Sequence, residues 1–145
     1  MIAVDSNILI AAHRAEHPLH RVALERLSGI AEGRRPWGLP AFCVAEFLRV
    51  TTHPKIFTPP TPLHTGLEFI DALLASPTVR MLGPGKRYWQ HFRATCEAGD
   101  AKGNLVFDVQ IAAVCLEYGA TRLLTADRDF ARFPGLEPEY LPVGP

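Results

Sequence analysis

The sequence predicts an α/β domain: a central parallel sheet flanked by helices on both faces. Three observations carry this expectation. Short apolar segments of strand length alternate with longer segments of helical period along the whole chain. One late helix candidate is apolar almost all round, so it must be covered on every side. Acidic residues fall at the carboxyl ends of two strand candidates, which is where open parallel sheets bind ligands. The 145 residues suit one domain spanning 1–145 with a real core.

Taken in order, "IAVD" is a short strand that passes directly into a helix at "SNILIAAHR". "LHRVALERLSGIAEG" is a second helix, since Val22, Leu24, Leu27 and Ile30 recur near helical period and Gly33 ends it. "PWGLP" is a second strand bracketed by prolines. "AFCVAEFLRVTTH" is a third helix, stopped before Pro54. "PKIFTPPTP" holds four prolines in nine residues and reads as a rigid surface loop. "LHTGLEFIDALLAS" is a fourth helix and "TVRML" a third strand. "KRYWQHFRATCEAG" is a fifth, amphipathic helix. "LVFDVQIAAVCLEYG" is the apolar sixth, stopped by Gly119. "RLLTA" is a fourth strand, "DRDFARF" a short helical turn, and "YLPV" a weak final strand.

Composition narrows the function classes. At 48% hydrophobic residues the chain is not disordered by composition. Fifteen basic residues balance fifteen acidic ones, so there is no global nucleic-acid signature; such binding would need a local basic patch or a metal. Cys43, Cys96 and Cys115 are odd in number and form no C-x-x-C pair, which argues against a disulfide scaffold or a zinc site and fits a reducing compartment. The N-terminus lacks a basic region and meets Asp5 almost at once, unlike a signal peptide. No apolar run reaches the ~18–20 residues of a membrane span. The expected location is cytoplasmic, away from membranes.

The chemistry lies in acids placed where they are costly. Asp5 ends the first strand, Glu46 interrupts the third helix, Asp108 interrupts the sixth, and Asp127 follows the fourth strand, with Asp129 two residues on. A carboxylate in an apolar segment costs several kcal/mol unless it is paired or bound to a cation. Each has an ordinary explanation. Asp5 and Asp127 could be helix N-caps, Glu46 could pair with Arg49, and Asp129 could be a first-turn acid. Asp108 resists such an account, because positions 104, 105, 111 and 112 hold no base. Asn104, one turn back, could orient it or bind a ligand. Asn7 could support Asp5 or touch a phosphate, as could Ser6 and Thr125. Together these residues point to one shared site that needs a divalent metal, since hard cations take oxygen ligands, and to an enzyme acting on phosphate esters. His13, His17 and His20 are clustered, but Pro18 interrupts them; they read as a solvated polar surface.

The stretches "VDSNILI", "AEFLRVTTHPKIF", "GNLVFDVQIAAVCLEYGA" and "LLTADRDFARFPGL" together resemble the PIN-domain ribonucleases, and within them the VapC toxins of bacterial toxin–antitoxin pairs. The resemblance covers the whole chain in order. It implies a catalytic quartet of Asp5, Glu46, Asp108 and Asp127. Asp5, Asp108 and Asp127 would be metal ligands; Asn7, Asn104, Thr125 and Asp129 would support them. It also implies a PIN-like parallel sheet, a Mg²⁺ or Mn²⁺ cofactor, RNA as substrate, a homodimer, and inhibition by a small VapB-like antitoxin protein. Phe107 departs from the pattern, since many relatives carry a polar residue or His before the helix acid. Alternative readings are a housekeeping PIN nuclease in RNA processing and an inactive RNA- or protein-binding module. Arg34, Arg35, Lys55, Lys86, Arg87 and Arg128 are candidate RNA contacts.

Overall fold

The computed structural model describes residues 1–142. Its elements run β1 (Ile2–Val4), α1 (Ser6–His13), α2 (His20–Ala31), β2 (Trp37–Pro40), α3 (Ala41–Thr51), α4 (Leu63–Leu74), β3 (Val79–Leu82), α5 (Tyr88–Gly99), α6 (Leu105–Glu117), β4 (Arg122–Leu124), a 3-10 turn (Arg128–Arg132) and β5 (Glu137–Glu139). The five strands form one sheet in the order β3-β2-β1-β4-β5, and every pairing is parallel. The expected α/β class is what the chain adopts.

The central strand is β1, whose three residues are all buried, as expected of a strand covered on both faces. Ala3 pairs with Gly38 on one side and Leu123 on the other. A Cβ at Gly38 would lie 2.7 Å from Leu82 Cδ1, so any larger residue there would have to push the Leu82 side chain aside. Helices α1 and α2 pack together, α1 meets α3, and α3 meets α4; α5 and α6 form a second pair, and α6 also touches α3. Right-handed crossovers place these two groups on opposite faces of the sheet. Trp37, Phe47, Ile8, Leu9, Leu123 and Leu124 fill the interior, and burying each large apolar side chain contributes about 1.5–3 kcal/mol.

Local chemistry sets the helix limits. Asp5 caps α1 by accepting from Ser6 N. The hydroxyls of Thr51 and Thr52 donate to the carbonyls of Phe47 and Leu48, at 2.7 and 2.6 Å, and close the last turn of α3. Gly119 adopts φ +75° just past α6, the left-handed stop expected of it. Arg14 ties down the proline-rich loop through Pro59 O at 3.0 Å and Thr61 Oγ1 at 3.1 Å.

The final strand differs from expectation. It is the segment Glu137–Glu139, not residues 140–143, and Val143 lies outside the described residues. "EPE" has no strand propensity, but an edge strand tolerates proline. Glu139 is also held by Arg26 at 2.8 Å and Arg122 at 3.5 Å. The histidine trio differs too. All three are half-buried: His13 lies 3.0 Å from Thr61 Oγ1 and edge-on to Phe47 and Phe69, and His20 Nδ1 lies 2.9 Å from Ala11 O. His13 and His20 are packing residues of the α1–α2 corner, and His17 accepts from Leu19 N at 3.0 Å in the turn between the helices. No described helix is long and apolar enough to cross a membrane.

Candidate active site

The strand order runs outward from β1 through β2 to β3, then resumes on the other side of β1 with β4 and β5. The seam between β1 and β4 is therefore the switch point of the sheet, and ligands of such folds bind beyond its carboxyl end. Asp5 leaves β1 there and Thr125 leaves β4. Asp5 N donates to Leu124 O at 2.9 Å, which carries the pairing one residue past the strand.

Asp5 is only 3% exposed, and both of its oxygens are occupied. Oδ1 accepts from Ser6 N at 2.7 Å and from the Cys43 thiol at 3.6 Å. Oδ2 accepts from Thr125 Oγ1 at 2.7 Å and from Asn7 Nδ2 at 3.2 Å. Burial raises its pKa above the ordinary carboxylate value, although the bonds from Thr125 and Ser6 pull the other way. Thr125 is fully buried. Its one hydroxyl proton goes to Asp5, and its lone pairs accept from Asp127 N at 3.0 Å and Asn7 Nδ2 at 3.3 Å. Asn7 closes the circuit by accepting from Ala126 N at 3.1 Å. Asn7 and Thr125 thus stand beside Asp5 as the sequence suggests, and they also set the path of the chain into Asp127.

Above this buried floor lies an open cleft of about 760 Å³. Helix α3 contributes Glu46 to one wall, α6 contributes Asp108, and the 3-10 turn contributes Asp127 and Asp129. Oxygens of Asp108, Asp127 and Asp129 all lie within 4.8 Å of one another. Asp127 caps the turn by accepting from Asp129 N at 2.9 Å, which brings the second acid round to the first. Burial, and then the charges of Asp127, Asp5, Asp129 and Glu46, push the Asp108 pKa up to about 7. Glu46, Asp108, Asp127 and Asp129 line one cleft, and the buried Asp5 adds its charge to theirs on Asp108. The tight trio is Asp108, Asp127 and Asp129, with Asp5 beneath it and Glu46 on the facing wall. Asp129, expected as a supporting residue, stands in the trio; Asp5, expected as a ligand, is engaged by protein donors.

Asn104 lines the cleft but makes no side-chain capping bond. Glu46 and Arg49 form no ion pair among the described residues, so the ordinary account of Glu46 fails. None of the six basic candidates lines the cleft; Arg49 does. Sequence alone marked Arg49 only as a possible partner of Glu46. Arg34 and Arg35 lie in a hollow with Ile2, Trp37 and Arg122, at the opposite end of the strands, and Arg128 stacks on Tyr140.

Three clustered carboxylates without a basic partner among the described residues form a hard-oxygen donor set that fits a divalent cation. An all-parallel α/β sheet with such a cluster at its switch point defines a class of α/β domain able to hold a divalent cation there. Residues 2–136 match the PIN domain, and the chain belongs to that family, among the VapC ribonucleases. It is 46% identical over 136 residues to ribonuclease VapC43 of Mycobacterium tuberculosis, covering 92% of this chain and 90% of that protein. It is 35% identical to VapC25 of the same organism, covering 92% and 93%. The fold superposes on VapBC2 from Rickettsia felis, solved bound to a promoter DNA fragment, with a TM-score of 0.69 and 19% identity, covering 98% of this chain and all of that one.

Proposed function

We propose that this protein is an endoribonuclease toxin that hydrolyses RNA phosphodiester bonds with Mg²⁺ or Mn²⁺ and is held inactive by a small VapB-like antitoxin. The observation that carries this reading is the trio Asp108, Asp127 and Asp129, with the Asp108 pKa pushed up to about 7. Its similarity to proteins named VapC ribonucleases supports RNA as the substrate.

Asp5, its oxygens engaged by protein donors, would contribute through water, and Asp108, Asp127 and Asp129 would hold the cation. Once bound, it stabilises charge building on the phosphate and makes water a better nucleophile. The chain's own residues do the rest. Asn7 and Thr125 hold Asp5 and the Asp127 backbone in place, so the cluster is organised before substrate arrives. Glu46, on the facing wall, would orient or deprotonate the attacking water or complete the metal shell. The antitoxin is expected to insert an Arg or Lys into the cleft, because clustered carboxylates attract any cationic group that fits. A homodimer completes the assembly.

Incubating the protein with RNA in Mg²⁺, Mn²⁺ or EDTA, then sequencing the new RNA ends, tests the activity. Cleavage in metal and none in EDTA or in the Asp108→Asn variant is expected. Equal cleavage by Asp108→Asn would remove the site. Light scattering with and without the antitoxin reads the assembly.

A further inference from the structure

The acidic cleft holds two groups that metal binding does not use. Phe107 is 62% exposed, although it belongs to the most apolar helix of the chain and sits next to Asp108. Arg49 is exposed on the opposite wall, one turn beyond Glu46. It is the cleft's one cationic residue, and it makes no ion pair among the described residues, even with acids beside it. An unpaired guanidinium is a ready phosphate ligand. An exposed aromatic ring is a surface on which an unpaired base can stack. The cleft's volume, about 760 Å³, leaves room for a nucleotide between these walls; ligand clefts commonly span roughly 300–1,000 Å³.

We propose that Arg49 and Phe107 bind a nucleotide flanking the scissile phosphate, with Arg49 on a neighbouring phosphate and Phe107 stacked on an unpaired base. This rests on the ribonuclease reading and narrows it: the substrate is single-stranded at the cut, because a base inside a helix has both faces covered by its stacked neighbours. Phosphate contacts position RNA without reading it, so Arg49 sets register. Phe107 favours bases that stack well. The two residues differ in signature. Arg49 contributes salt-dependent binding through counterion release, and Phe107 contributes salt-independent binding.

The test is binding of a fluorescein-labelled, mixed-sequence single-stranded RNA octamer by anisotropy in Ca²⁺, across a salt series. KM and kcat for the same octamer are measured in Mg²⁺. Both side chains are exposed, so Arg49→Gln and Phe107→Ala should fold normally. Arg49→Gln should flatten the slope of log affinity against log salt by about 0.7, the value of one phosphate contact on a single strand. Phe107→Ala should weaken binding about tenfold with the slope unchanged, and Phe107→Trp should restore it. Both losses should appear in KM with kcat largely kept. Wild-type binding that neither variant weakens overturns the assignment and leaves the ribonuclease reading standing. A wild-type protein that neither binds nor cuts any RNA removes that reading first. If Phe107→Ala changes the sedimentation mass and not RNA binding, the ring belongs to an interface between copies, and the assignment is wrong.

Discussion

Replacing Asp108 with Asn removes a charge at nearly constant volume, and the consequence should reverse sign with metal. Oxygens of Asp108, Asp127 and Asp129 lie within 4.8 Å of one another. Two unit charges at that distance repel by about 3 kcal/mol at an effective dielectric near 20. The Asp108 pKa of about 7, against 3.8 for an ordinary Asp, would by linkage amount to about 4 kcal/mol at pH 8. Asp108 is half-buried at the mouth of an open cleft, and solvent screening reduces this to about 1–2 kcal/mol. Asp108→Asn in EDTA at pH 8 should therefore melt about 2–8 °C above wild type, at roughly 2–4 °C per kcal/mol for a chain of this size. Saturating Mn²⁺ at a hundred times the dissociation constant should stabilise wild type by about 2.7 kcal/mol, and the variant by much less. Scanning calorimetry of both proteins, with EDTA and with Mn²⁺, reads all four states. An equal metal shift in the two proteins would place the cation elsewhere. A variant less stable than wild type in EDTA would refute the repulsion.

Other outcomes follow from the same structure. The Asp108 contribution to metal-free stability should fall as pH rises from about 4 to about 7 and then level off, because the folded state binds a proton on Asp108 in that window and the unfolded state does not. Asp5 adds in the same sense, and denaturant melts across pH should show a much flatter profile for Asp108→Asn. Thr125→Val removes the hydroxyl that donates to Asp5 and accepts from Asp127 N; it should cost about 1–3 kcal/mol in urea melts and lower kcat by disordering the 3-10 turn. Gly38→Ala places a methyl 2.7 Å from Leu82 Cδ1 and should cost about 1–3 kcal/mol in the same melts, with cleavage per folded molecule unchanged.

Asp5, Glu46 and Asp108 were legible in the sequence because an acid in an apolar segment conflicts with its surroundings, and function is where such conflicts persist. The alternation that predicted the sheet was legible for a similar reason: buried parallel strands and their covering helices leave periodic apolar segments. Asp129 was harder to place. It sits on an exposed turn among polar neighbours, where an acid costs nothing, and its approach to Asp127 depends on a backbone bond made only in the folded turn. Arg49 was hidden likewise, since an exposed helical Arg near a Glu is usually its partner. Strand β5 carries no apolar alternation of its own, because backbone pairing with β4 places it and arginines from α2 and β4 hold its Glu139.

The seam that positions the acids also dictates when the site can exist during synthesis. Thr125 and Asp5 bond across 120 residues of chain, and two of the three clustered carboxylates come after residue 126. A nascent polypeptide short of that point lacks the cluster, and one short of residue 122 also lacks the strand that anchors its floor. Whatever this chain cuts, it cannot cut while most of it is still being made.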